Sequence, residues 1–477
     1  TNYGQTQTKQ WAANLNFSGN LFSTWAGPVQ AATGFEHRNL DVERTTDPFG
    51  DYRNPFNGSG SPIVANPAYY NQSYGSPYAG SQGVTEGYVE TNIPLAKDMS
   101  FAKALALDGA VRRTHYKNIS RTQNSEGTVD ATSWKLGLVW QPIDWLRFRT
   151  TKSQDIRAPN TSELSVPARI TLQGSAANLI INRATGLNDF PATQSGGSTA
   201  LKPEEGDTFT IGAVFSPQWG MSRGFRLSVD YFKLELTNSI RSVGAQDVAD
   251  RCVAGALEFC EGTVRNSAGA FTSIFTGFRN LGLVTQEGFD IETSYKLNFE
   301  DIHVHVPGSL TLRGLATINK KLSTQSTAST IDRSDQTGGA SGSAQGVPRY
   351  TISTSLTYSL NRFSGLMQVR YIPTGYYDTT RIGPDDDRYA AIVAQGPTNA
   401  LYTSTINDNL VGSMTVFNVG LRYAFQESAN TNLEAYLNVD NLFDKAPPIT
   451  PNLSYQANTT LFDGIGRRFI FGVRMKY

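Results

Sequence analysis

The sequence predicts an all-β chain, its antiparallel strands running up and down as the wall of a transmembrane β-barrel, and three observations lead there. Apolar side chains recur at every second position through segments of about eight to twelve residues, the period of a strand with one greasy and one wet face. The links between these segments alternate between short and long. The last residues form a further alternating segment, rich in aromatic rings.

Composition narrows the choice. The 477 residues are 39% hydrophobic and 17% charged, low for a soluble globular chain, with 44 Gly, 25 Phe and 21 Tyr. The 41 Lys and Arg cancel the 41 Asp and Glu, which removes net charge as an attraction for nucleic acid. No run approaches the ~20 apolar residues of a spanning helix, so a helical membrane protein is excluded. Thr1–Gln5 shows neither an initiator Met nor a basic or apolar leader, and the chain is expected to follow a preceding segment.

About 15 strands are expected, beginning near Trp11, Val29, Val84, Lys103, Ser133, Trp145, Asp207, Gly224, Asn280, Ser309, Arg349, Ser364, Thr415, Asn432 and Arg467. The pattern is clearest at Trp134, Leu136, Leu138 and Trp140, at Phe209, Ile211, Ala213 and Phe215, and at Phe417, Val419, Leu421, Tyr423 and Phe425. Phe225–Tyr231 changes phase at Phe232, which predicts a bulge or the membrane exit near Tyr231.

Short links fall at 23–28, 95–100, 141–144, 216–223, 298–308, 359–363 and 426–431, and long ones at 39–83, 116–132, 158–206, 238–279, 321–348, 374–414 and 442–466. Brief turns on the periplasmic side and extended loops outside are what an outer-membrane barrel requires. A closed ring of strands satisfies every backbone polar group inside lipid. Trp140 and Trp145 flank one short turn as members of an aromatic girdle; packing in a soluble core is the alternative reading.

In the last segment Phe469, Phe471, Val473, Met475 and Tyr477 share one face, opposite Arg468, Arg474 and Lys476. It resembles the signal by which the barrel-assembly machinery recognises its clients. Upstream stand Asn438-Val439-Asp440-Asn441-Leu442-Phe443-Asp444-Lys445 and Asp463-Gly464-Ile465-Gly466-Arg467. With Ser153-Gln154-Asp155-Ile156-Arg157-Ala158-Pro159-Asn160 and Gly288-Phe289-Asp290-Ile291-Glu292, these stretches resemble TonB-dependent outer-membrane receptors from about Trp134 to Tyr477.

The resemblance implies a barrel of about 22 strands with a plugged lumen. It implies residues 1–477 as the C-terminal portion of that barrel, lacking the N-terminal plug and about seven strands. It further implies a receptor that binds a scarce solute, such as a ferric siderophore, cobalamin or an oligosaccharide, and imports it with energy from the TonB complex. That complex would be contacted through the missing N-terminal part. A passive porin-like channel and a surface adhesin are the alternatives.

No enzyme motif appears in its required context, no cofactor is called for, and no metal site is expected. His303 and His305 lack a third ligand, and Asp385-Asp386-Asp387 reads as a solvated turn after Gly383-Pro384 rather than a calcium site. Cys252 and Cys260 are expected to form a local disulfide in an external loop, in an oxidising compartment. Ligand contacts are expected from Tyr69, Tyr70, Tyr74 and Tyr78, whose rings stand among polar residues, and from Arg157 and Arg381 as forked anchors for an anion. Loop packing and salt bridges are the competing readings of the same side chains.

Overall fold

The computed structural model describes residues 4–46, 77–167, 169–174, 178–199, 201–302, 306–325, 330–338, 346–399, 401–427, 432–450 and 457–476. Along one antiparallel sheet, in chain order, run β1 (Gly4–Thr24), β2 (Gly27–Thr46), β3 (Tyr78–Met99), β4 (Ala102–Ser120) and β5 (Ser125–Ile143). They are followed by β6 (Leu146–Arg157), β7 (Glu204–Phe215), β8 (Phe225–Thr237), β9 (Leu283–Asn298) and β10 (Ser309–Gln325). The sheet ends with β11 (Tyr350–Leu360), β12 (Phe363–Ile372), β13 (Met414–Glu427), β14 (Asn432–Asp440) and β15 (Arg468–Lys476). A short strand, Thr330–Asp332, adds to β10.

Register carries one apolar face through the whole sheet. Val89, Val111 and Trp134 stand abreast, and farther along Phe471, Leu437 and Leu421 do the same. On β15, Phe469, Phe471, Val473 and Met475 are 68%, 72%, 61% and 61% exposed, as side chains aimed at lipid must be. Tyr477 lies outside the described residues.

Aromatic rings line the short-turn end of that face. Trp145 meets Phe215 and Trp219 at centroid distances of 5.5 and 5.3 Å, Phe225 meets Tyr295 at 6.4 Å, and Tyr358 meets Phe363 at 6.5 Å. Trp140 stacks on Phe148 at 5.4 Å.

The opposite face is the inner wall, and it is ionic. Arg149 reaches Asp230 at 2.7 Å across the intervening β7, Lys135 reaches Asp108 at 3.1 Å, Arg313 reaches Glu292 at 2.8 Å and Arg112 reaches Glu86 at 3.0 Å. Gly212 sits in register between Arg149 and Asp230. A Cβ there would collide with the Asp230 carboxylate, so the glycine is what opens the route across the strand.

Two expectations need correction. The expected long link at 116–132 is a turn of residues 121–124, because β4 and β5 run on to Ser120 and from Ser125. Charged and polar residues interrupt the apolar period along this hairpin, although Tyr116 and Ala131 join Val84 in a buried cluster, so the strand signal fades there. No bulge occurs at Tyr231: β8 pairs with β9 without a register shift from Phe225 to Leu236. Tyr231 contacts Phe209 and Phe289 at 6.4 and 5.4 Å, an aromatic grouping in keeping with the other expectation, the membrane exit. Beyond it, Leu234 and Leu236 turn to the inner wall beside Gly206.

Candidate ligand-binding mouth

At the end opposite the aromatic turns, the long loops fold into two bodies, each with its own dry core. The first joins residues 158–203 and 238–282. Ala192–Ser195 pairs in parallel with Phe271–Phe275, and Arg169–Thr171 and Thr263–Arg265 complete a small sheet. Helices α2 (Ala245–Val253) and α3 (Leu257–Cys260) pack on it. Val248, Ala249 and Cys252 fall on one side of α2 and meet Ile180, Phe259, Phe271 and Ile274 in an apolar cluster.

Cys252 and Cys260 are bonded, closing the α2–α3 hairpin. Rings brace three guanidinium groups of this body: Arg251 lies 5.0 Å over Phe259, Arg265 4.1 Å over Phe271 and Arg279 5.2 Å over Phe275. Burial lowers the Arg279 guanidinium from its ordinary value. Asp189 is buried and accepts from the Phe271 amide at 2.8 Å and from Asn182 at 2.7 Å, tying the two loops together.

Helix α1 (Thr161–Ser165) leads into this body from β6. Asn160 caps it, accepting from the Glu163 amide at 2.8 Å, while the Glu163 carboxylate accepts from the Asn160 amide at 2.8 Å. Arg157 places its guanidinium against that carboxylate at 3.0 and 3.2 Å and donates to Glu204 at 2.6 Å. Glu204 also accepts from the Ile240 amide at 2.6 Å, so one arginine locks β6, α1, β7 and the next loop. A capping box spelled Asn160-x-x-Glu163 was the sequence signal for this arrangement.

The second body joins parts of 330–349, 373–413 and 441–467. Ile372, Val411, Met414 and Phe462 form its apolar core. Beside that core Gln336, fully buried, accepts through Oε1 from the Thr379 amide at 3.1 Å, the Thr379 hydroxyl at 3.2 Å and Arg333 at 3.1 Å. Arg333 also pairs with Asp378 at 3.6 Å, both of them buried. Asn458 donates to the Thr337 carbonyl at 2.9 Å, and Asn409 donates to the Asp378 carbonyl at 3.1 Å. Burial raises the carboxyl of neighbouring Asp335. Three loops far apart in sequence are thereby one unit.

The two bodies meet at Thr403. Arg183 donates to its hydroxyl at 3.1 Å while holding Asp250 at 3.1 Å, and Arg381 donates to its carbonyl at 2.9 Å. Burial pushes the Asp250 carboxyl up, and the facing Arg183 opposes that.

Of the expected ligand contacts, Tyr69, Tyr70 and Tyr74 lie outside the described residues. Tyr78 opens β3, half-buried opposite Arg44. Arg157 has its fork on two protein carboxylates, and Arg381 stands at the seam between the bodies. The structure thus brings Arg381 together with Arg183, which the sequence does not single out, and leaves Arg157 and Tyr78 at the wall. Asp386 turns onto Arg388 at 2.6 Å, which holds its carboxyl down at about 2. Among the described residues no cluster of His, Cys, Asp and Glu fits a metal ion, and His303 and His305 lie outside them.

An antiparallel wall with an apolar outer face, an ionic inner face, turns at one rim and folded loops at the other defines an outer-membrane β-barrel of the receptor type. The family model for TonB dependent receptor-like β-barrels matches residues 1–442, and the chain belongs to that family, whose barrels reside in the outer membrane of Gram-negative bacteria.

Solved structures agree on the fold. A mutant of the ferric enterobactin receptor PfeA of Pseudomonas aeruginosa, in complex with enterobactin, superposes with a TM-score of 0.59 at 15% identity, covering 99% of this chain and 54% of its own. The pyoverdine receptor FpvA of Pseudomonas aeruginosa PAO1 gives 0.56 at 12% identity, covering 99% of this chain and 53% of its own. The FrpB iron transporter of Neisseria meningitidis gives 0.55 at 13% identity, covering 99% and 56%. The chain therefore spans about half the length of the structures it matches. Comparison with curated protein sequences gives no match.

Proposed function

We propose that this chain forms the wall and mouth of an outer-membrane receptor that captures a scarce solute at its extracellular loops and imports it with energy relayed by TonB. The solute class favoured is a ferric siderophore, since PfeA and FpvA were solved with enterobactin and pyoverdine. Residues 1–477 would be the C-terminal barrel portion, working with a plug and further strands that carry the TonB contact. The observation that carries the reading is the family match over residues 1–442 joined to a mouth of two folded loop bodies. A passive channel needs neither body, whereas a receptor needs surfaces held still enough to recognise a rigid solute. Arg381 and Arg183, which both donate to Thr403 at the seam, would offer cationic contacts to an anionic chelate.

The test is uptake of labelled siderophore, cobalamin and oligosaccharide by a deletion strain carrying the full-length gene, with and without the proton gradient. Siderophore accumulation that stops when the gradient collapses is expected. Uptake that continues unchanged without the gradient overturns energised import.

A further inference from the structure

The inner wall changes character toward its short-turn end. Farther from the turns, Arg112, Lys135 and Arg149 each hold a carboxylate, at 3.0, 3.1 and 2.7 Å. Close to the turns, Arg147 of β6, Arg226 of β8 and Lys296 of β9 share the inward parity of Arg149, Asp230 and Glu292. These three form no ion pair among the described residues. The same end of β11 to β15 carries a groove of about 590 Å³, a size that suits a small molecule.

Glu434 fixes the charges of this groove. Its buried carboxylate accepts from Arg422 at 3.2 Å through one oxygen and pairs with Arg474 at 3.2 Å through the other. Two guanidinium groups thus share one carboxylate, and with side chains 56% and 69% exposed they keep a net positive charge and most of their donors open to the lumen. Glycines make the room: the Tyr436 ring reaches over Gly472, where a Cβ would collide with it, and a Cβ on Gly420 would crowd the Asn438 side chain. Tyr436, Asn438 and Ser364 line the groove, and their side chains make no hydrogen bond among the described residues. Leu366 and Ile470 add an apolar stretch of lining. A cation would meet two arginines here, and a neutral sugar would leave the excess charge unanswered. A carboxylate fits the planar fork of a guanidinium, and several carboxylates on one molecule engage both forks at once.

We propose that Arg422 and Arg474, with Tyr436, Asn438 and Ser364, form a site at the periplasmic end of the lumen for the carboxylates of an anionic solute on its way out. Arg147, Arg226 and Lys296 extend the attraction around the same rim. The assignment rests on the reading of the chain as an importer, and it adds a second holding point, far from the loops, for a solute of negative charge.

The test titrates citrate, a small tricarboxylate, into the purified protein in detergent. Both native cysteines are bonded, so S359C, on the inner wall opposite Ser364, takes a single uncharged fluorophore that reports the groove and not the mouth. A saturable signal with citrate, and none with glucose, is expected. R474Q is expected to weaken citrate roughly tenfold, through loss of charge-assisted donors. E434Q is expected to strengthen it about threefold, because the carboxylate that repels the anion is gone while both arginines remain. A purely structural triad would lose binding in both variants or change in neither, and either result overturns the proposal, as does a signal that glucose matches or that citrate fails to raise. Folding is checked by heat-modifiable gel migration; if R474Q fails it, E434Q is read alone, and no gain in affinity overturns the proposal equally. Uptake that ignores the proton gradient would sink the import reading without altering this titration, so the two failures are told apart.

Discussion

Replacing Gln336 by Ala tests whether the three loops of the second body behave as one unit. The substitution deletes the oxygen that accepts from the Thr379 amide, the Thr379 hydroxyl and Arg333. Gln336 is fully buried, so neither protein nor water replaces that acceptor without rearrangement. Each buried donor left without a partner costs about 1–3 kcal/mol, and two such losses make about 3 kcal/mol a conservative total. Opening of the body should then rise by roughly 100-fold, since 1.4 kcal/mol is tenfold in an equilibrium constant.

Amide hydrogen exchange on the protein reads this directly. Accelerated exchange is expected at Thr337 and Gly338, which donate to Tyr376, at Tyr376, which donates to Asp335, and at Phe462, which donates to Asn458. The amides of Val248 and Ala254 in the first body should not change. Acceleration below threefold at the four sites would refute the claim that Gln336 holds the loops together. An equal rise in both bodies would refute their independence.

Two further outcomes follow from the loops. C252S/C260S removes a cross-link between residues separated by 8 in sequence, worth about 2.5 kcal/mol by loop-closure entropy. Limited proteolysis should then cut within 245–262 while the heat-modifiable barrel persists; loss of the barrel would contradict a clasp confined to the loop. At Asp386 the folded carboxyl is held down, to about 2 from 3.8, by Arg388, so the pair persists above the ordinary carboxylate range and is lost as pH falls through about 2. R388A should return the Asp386 titration, followed by carbon-13 NMR of the carboxyl, toward 3.8, and an unmoved midpoint would show that another group sets it.

The wall was legible in the sequence because lipid and lumen impose opposite demands on alternate residues. Each of the expected strand starts, from Trp11 to Arg467, falls within a strand of the sheet or within a few residues of one. Where that contrast vanishes, legibility vanishes too: the β4–β5 hairpin outside the membrane read as a loop. The mouth was scarcely legible. Its strands are as short as Arg169–Thr171, and their partners lie across the chain, so periodicity has no room to appear. Gln336 and Asn458 sit in polar stretches that look like any loop, and only the fold reveals that they are buried. Arg157 stood out as a lone cation because its partners Glu163 and Glu204 are unremarkable until α1 and β7 converge on it.

The glycine on the inner wall at position 212 carries a consequence for how such walls diversify. A side chain removed from one strand lets charges two strands apart attract each other, so the lumen can be rewired by exchanging glycines without altering a single pairing of the sheet. A lining built this way can change its pattern of charge while the cylinder around it stays the same shape.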